Sequence, residues 1–270
     1  MTKTIIFLLI LLISSVVKAD YVSWNELQTQ FNKVSKNPKA LSHVKCFFEK
    51  HEKDHFQLKA PTSEEVFNRC YAKPVIGLDS TRFFAIVDYM VNSDQQRMFL
   101  IDRKTGKISK MAVAHGRYKA GFFNTKLEDQ KNSIKEIKYY SNEINSMASS
   151  SGFFIGGQDF AASDFGRSLV IHGLEGGIND NACERDVVIH KHFLMTKSKA
   201  YMLSSGCLMV SPKLIDNVID LLKGTADEEM RLQTSGSLVF IYSPREAAWS
   251  ESSCPGNFSI ASEGPSQDRP

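Results

Sequence analysis

The pattern of apolar and polar positions changes character along this chain. Ile5–Val17 is apolar throughout except for Ser14 and Ser15. From Trp24 the spacing becomes helical. Trp24, Leu27, Phe31 and Val34 share one face, behind the capping-box pattern Ser23-Trp24-Asn25-Glu26. Leu41, Val44, Phe47 and Phe48 repeat that spacing over Ala40–Lys50, and Thr62-Ser63-Glu64-Glu65 opens a third short helix through Val66, Phe67 and Cys70. Residues 20–75 are therefore expected to form a small α-helical region whose stripes pack on the next domain.

From Arg82 the runs become short and rich in β-branched and aromatic residues. Strands are predicted over Phe83–Val91, Met98–Asp102, Ile108–His115, Phe153–Ile155, Ser168–His172, Val187–His190, Cys207–Val210 and Leu238–Tyr242. Lys104-Thr105-Gly106-Lys107 reads as a hairpin turn. One helix interrupts: Ser211 as cap, Pro212 at its first position, Leu214, Ile215, Val218, Leu221 and Leu222 as its buried face, and Gly224 at its end. The expected fold class is mostly β, a sandwich or barrel over residues 76–244 with one or two helices, preceded by the small helical region. Lys119–Ser151 is long and polar, with Thr125–Ser146 expected to be partly helical. A connection of that length is usually functional or disordered, and 119–151 is a candidate lid. Residues 245–270 have the composition of a flexible, solvated tail apart from Cys254.

Composition places the chain outside the cytoplasm. Lys3, the apolar run and Val17-Lys18-Ala19 together form a secretory signal peptide, residues 1–19, cut after Ala19. The run is short for a membrane span, so no stable membrane insertion is expected. Removing Lys3 and Lys18 takes two charges off a formal net of +3, leaving a near-neutral chain with no electrostatic case for nucleic acid. Five cysteines in an exported chain suggest two disulfides and one thiol left over. With Cys207 as the free thiol, the favoured pairs are Cys46–Cys70, closing a helical hairpin, and Cys183–Cys254, holding down the tail.

The candidate chemistry lies in Val187–Met209. An apolar strand delivers His190 at its end, and Ser204-Ser205-Gly206-Cys207 forms a small-residue turn that presents a thiol. A thiol needs a base to become a thiolate near neutral pH, and an imidazole beside it supplies one. Gly206 lets the backbone bend sharply next to the sulfur. Main-chain N–H groups of Ser205, Gly206 and Cys207 are candidates for an oxyanion hole.

Several short motifs occur in order: Phe84–Ser93 (F-A-I-V-D-Y-M-V-N-S), Arg97–Lys107, Val113-Ala114-His115-Gly116, Ser168–Glu175, Asn179-Asp180-Asn181-Ala182, Arg185–His190 and Ser204–Cys207. Together, over roughly Phe83–Pro244, they resemble the murein L,D-transpeptidase catalytic domain of the YkuD type, in its exported bacterial branch. The resemblance implies that Cys207 attacks the L-centre carbonyl of diaminopimelate in a peptidoglycan stem peptide, with His190 as base. D-Ala leaves, and an amine (transpeptidation) or water (L,D-carboxypeptidation) resolves the thioester. It implies a periplasmic or secreted, envelope-associated enzyme needing neither metal nor cofactor. It aligns Arg185 with a family arginine suited to gripping a carboxylate, with a structural salt bridge as the alternative. His172, His115 and Ser204 are candidate cleft-lining, substrate-binding residues. The lead-in Tyr201-Met202-Leu203 and Lys191 after the histidine depart from the family pattern and bear on acceptor recognition. Two rival readings stand beside this one. In the first, His190 and His192, on one face of a strand, bind zinc with His172 and Cys207. In the second, the fold survives as a non-catalytic wall-binding module. The oligomeric state is not legible.

Overall fold

The computed structural model describes residues 21–60, 70, 75–78, 81–118, 131–224, 226–227, 232–233 and 235–261. The expected signal peptide, the third helix up to Cys70, the first part of the candidate lid (119–130) and the end of the tail lie outside the described residues.

Two helices open the chain, α1 (Trp24–Asn32) and α2 (Lys39–His51), followed by short strands β1 (His55–Gln57) and β2 (Val75–Leu78). Then come β3 (Phe83–Asp88), β4 (Met98–Asp102), β5 (Lys107–Met111), β6 (Gly152–Ala162), β7 (Gly166–Gly173), β8 (Val188–Lys191) and β9 (Leu208–Val210). Helix α3 (Ile215–Leu222), the two-residue strands β10 (Ala226–Asp227), β11 (Leu232–Gln233) and β12 (Ser235–Gly236), strand β13 (Leu238–Tyr242) and helix α4 (Pro244–Ala247) complete the order. The main sheet has eight strands in the order β5-β4-β3-β13-β6-β7-β8-β9, with β3–β13 and β8–β9 parallel and the other pairs antiparallel.

The central strands are continuous apolar runs because both their faces are covered. Alternation splits each strand between two cores. Phe84, Ile86, Phe99, Ile101, Leu238 and Phe240 pack with Leu27, Phe31, Val44, Phe47 and Phe48 of α1 and α2. Ala85, Val87, Met98, Leu100, Val239 and Ile241 pack with Ile215, Val218, Ile219 and Leu222 of α3. Each fully buried Phe contributes about 1.5–3 kcal/mol on transfer grounds. The N-terminal helices are thus one wall of the sheet's own core. At the start of α1, Ser23 Oγ accepts the Glu26 N–H at 3.2 Å, as the capping pattern predicts.

The sheet curls until its edges nearly meet. Beyond β5 the Ala114 N–H donates to Met209 O at 3.0 Å, the Ser204 N–H to His115 O at 2.9 Å, and the Arg117 N–H to Ser204 O at 3.0 Å. The Val113–Gly116 motif is therefore the seam of a barrel-like sheet, and it holds the turn that carries Cys207.

Four local expectations are corrected. The cysteines pair as Cys46–Cys254 and Cys70–Cys183, and Cys207 is free. The tail runs along the face of α2 that carries His43, Cys46 and Phe47, with His43 Nδ1 donating to Ser253 O at 2.6 Å, so Cys254 meets Cys46. The tail is accordingly not free over 250–261: Phe258 enters the aromatic cluster of Phe47, Phe56 and Phe153, and the Gln57 N–H donates to Ser259 O at 2.7 Å. Residues 131–150 form no helix; Asn132 Oδ1 takes the N–H groups of Lys138 and Tyr139, a side-chain alternative to helical bonds. Helix α3 starts at Ile215, because Ser211 and Pro212 form a separate turn in which the Leu214 N–H donates to Ser211 O.

Candidate active site

Parallel pairing of β8 and β9 sets His190 opposite Met209. Side chains two apart along a strand share a face, so Cys207, just before β9, points to the same side as His190. Both line a cavity of about 400 Å³. His190 is buried at 2 % exposure, and its Nδ1 donates to Lys191 O at 2.9 Å. That bond fixes the tautomer and leaves the lone pair on Nε2. The Phe165 ring, 4.1 Å from the imidazole between centroids, covers it.

The thiol of Cys207 is partly exposed and donates to Asp186 O at 3.3 Å. Desolvation pushes it up to about 11 and the nearby Asp186 carboxylate adds to this, while main-chain N–H groups of Val188 and Cys207 and the Arg185 cation act the other way. His190 is lowered from its ordinary value, first by burial. A thiol held up and an imidazole held down, lining the same cavity, are both neutral at pH 7. Alkylation of Cys207 by iodoacetamide should accordingly rise close to tenfold per pH unit from pH 7 to 9. A rate that is flat over that range would mean a preformed thiolate–imidazolium pair.

The turn that carries Cys207 is built from short polar contacts. Ser204 Oγ donates to Cys207 O at 2.7 Å and accepts the Gly206 N–H at 3.2 Å. Ser149 Oγ accepts the Gly116 N–H and donates to Gly206 O. Gly206 has φ +115°, and a Cβ there would stand 2.9 Å from Ala148 O, so only glycine fits. Because the Gly206 N–H is engaged by Ser204, the expected three-donor oxyanion hole is not free as drawn. The main-chain N–H groups of Val188 and Cys207 are the ones that favour the sulfur's anionic form. Ser205 lines the cavity and is exposed.

Arg185 also lines the cavity, but its terminal nitrogens are committed. Nη1 donates to Ser141 O at 2.8 Å and Ser150 Oγ at 2.7 Å; Nη2 donates to Ser146 Oγ at 3.2 Å and to Ala148 O. Burial lowers this guanidinium to about 10. It holds residues 141–150 in place, and Ile144, Asn145 and Met147 of that stretch become a cleft wall.

His115 and His172 are placed differently from the expectation, since neither lines the cavity. His115 accepts from Arg97 Nη2 at 2.7 Å on Nδ1 and donates from Nε2 to Ser133 O at 3.0 Å. Burial and the Arg97 charge hold it down at about 3, a neutral bridge between a buried arginine and the 131–150 stretch. His172 is buried on β7 opposite Ile155. Ser204 is in the wall, its hydroxyl occupied by the turn. Of the zinc set, His190, His192 and Cys207 line the cavity and His172 does not; no group of three or more potential ligands is arranged for a metal ion among the described residues.

Sequence reasoning missed Arg117, Phe165, Glu184 and Asp186, which line the cleft with Met202 and Leu203 of the lead-in. Among the described residues, non-glycine positions with positive φ are Tyr118, Asn145, Met147 and Asp186. Three of them line this cavity, a concentration of backbone strain of the kind stored at functional sites. Asn145 and Asp186 are of residue types that tolerate that conformation; Met147 is not.

Residues 69–227, more than half of the chain, match the L,D-transpeptidase catalytic domain family of the YkuD type. The chain belongs to that family. No curated protein matches it. Among solved structures it is similar to the helical cell shape determining protein Pgp2 from Campylobacter jejuni. The identity is 10 %, the match covers 75 % of this chain and 54 % of that one, and the TM-score is 0.34. The K307A mutant of the same protein gives 10 %, 75 %, 53 % and 0.36. The chain spans about half the length of these structures.

Proposed function

We propose that this protein is an L,D-transpeptidase in which Cys207 forms a thioester with the diaminopimelate of a peptidoglycan stem peptide. His190 Nε2 takes the thiol proton as sulfur bonds to the L-centre carbonyl carbon. The C–N bond to D-Ala then breaks, and the imidazolium returns the proton to the leaving amine. An amine of a second stem attacks the thioester and restores the thiol. The Cys207 main-chain N–H is the donor best situated for the oxyanion, in place of the Gly206 N–H.

The observation that favours transpeptidation over hydrolysis is that the sulfur stands where two cavities meet. The first holds Arg117, Arg185 and His190; the second, about 370 Å³, is lined by Phe160–Asp164 and Val188; Phe165, Asp186 and Cys207 belong to both. A nucleophile between two lobes suits a reaction with a donor and an acceptor, one on each side. Two disulfides support an oxidising, envelope compartment, consistent with a cleaved signal over residues 1–19. Among the described residues no helix is long and apolar enough to cross a membrane.

Incubating the mature protein with tetrapeptide muropeptides and reading products by mass spectrometry tests this. Cross-linked dimers are expected. Tripeptides alone would make it an L,D-carboxypeptidase, and unchanged substrate would favour a wall-binding module.

A further inference from the structure

Counting guanidinium hydrogens separates the two arginines of the cleft. An arginine has four terminal N–H hydrogens and one on Nε. Arg185 spends all four terminal hydrogens on Ser141, Ser146, Ala148 and Ser150. It has none left for the paired grip that arginine makes on a carboxylate. Arg117 is the reverse case. Its Nε donates to Ser204 O at 3.2 Å, which fastens the stem of the side chain to the nucleophile turn. Its terminal nitrogens have no partner among the described residues, and no carboxylate there stands in ion-pair range of it. It lines the same cavity as Cys207 and is half-buried, so its charge is less screened than at an open surface.

We propose that Arg117 is the carboxylate anchor of the acyl-donor site, gripping a free carboxylate of the stem peptide next to the scissile bond, while Arg185 is a positioning residue that holds the cleft wall. This deepens the proposed function by assigning the acyl donor to the lobe that holds Arg117, and rests on it. A donor stem offers two such carboxylates: the chain-terminal one of the leaving D-Ala and the one on the side-chain centre of diaminopimelate. The shared chemistry is a carboxylate tied in register with the thiol through Ser204, whose carbonyl holds Arg117 and whose hydroxyl holds Cys207 O.

The test uses three synthetic tetrapeptide stems: unmodified, amidated at the chain terminus, and amidated at the diaminopimelate side-chain carboxylate. Binding is measured by calorimetry on the Cys207→Ala protein, alone and with Arg117→Gln or Arg117→Lys added; thioester formation is measured on the wild type. Amidating the gripped carboxylate should weaken binding roughly 10- to 100-fold, the usual weight of a charge-assisted bond. Whichever amide shows the loss identifies the carboxylate. Arg117→Gln should bind the unmodified stem as weakly as that amide and no longer distinguish the two, while Arg117→Lys recovers part of the difference. Discrimination that survives Arg117→Gln, or an equal loss on all three stems, would overturn the assignment. Intact discrimination with no thioester on the wild type would overturn the catalytic reading and uphold the carboxylate subsite.

Discussion

Replacing Cys207 with alanine is expected to abolish turnover on muropeptides while the protein stays folded. The substitution removes one sulfur atom and its bond to Asp186 O, a contact worth about 1 kcal/mol. The turn itself is held by other groups. Ser204 Oγ binds Cys207 O and the Gly206 N–H, and Ser149 Oγ binds Gly206 O; none involves the Cys207 side chain. Met209 and Ala114 stay joined across the seam. Thermal unfolding should therefore shift by only a few degrees, while products fall to the level of the no-enzyme control. Turnover within tenfold of wild type would rule out the cysteine as nucleophile.

The second large effect is expected from His190→Ala, a fall of about a hundred- to ten-thousand-fold in acylation rate. The size follows from the state of the thiol. With its burial holding it up at about 11, only roughly one Cys207 in ten thousand is ionised at pH 7 without a base. The loss should shrink by about tenfold for each unit the pH is raised, because hydroxide takes over the work of the imidazole. In the wild type, acylation should fall as pH drops through the lowered His190 value, where the ring becomes protonated and can no longer accept. A loss under tenfold, or one that does not change with pH, would remove His190 from the mechanism. His172→Ala and His192→Ala should be milder. A larger effect from His172 would mean that the wrong histidine carries the base.

Much of this was legible because it depends on short-range pattern. Short apolar runs over Phe83–Asp88, Met98–Asp102 and Leu238–Tyr242 marked the strands, while the burial of both their faces emerged only from the packing of α1, α2 and α3 on the sheet. The strand ending at His190 and the glycine before Cys207 marked the two halves of the site. What was not legible depends on partners distant in sequence. The Cys46–Cys254 link spans a sequence separation of 208 residues and follows from where the tail lies on α2. The tail reads as solvated by composition, yet Phe258 alone gives it an aromatic anchorage. Arg185 resembles a carboxylate-binding residue until the four oxygens around it are seen, all from 141–150. His115 sits in a recognisable motif, but its ring serves Arg97 and Ser133, and the motif's contribution to the site is main-chain bonding to Ser204. Arg117 follows that motif directly and carried no periodic or spacing signal of its own.

The most direct test of the central claim is the intact mass of the wild-type protein, acid-quenched within the first turnovers on a tetrapeptide stem. The account predicts a covalent adduct of the stem tripeptide, lost on mild hydroxylamine treatment as a thioester is, and mapped by peptide digestion to Cys207. An adduct on another residue, or product formation with no adduct at any quench time and an unchanged rate in Cys207→Ala, would contradict it.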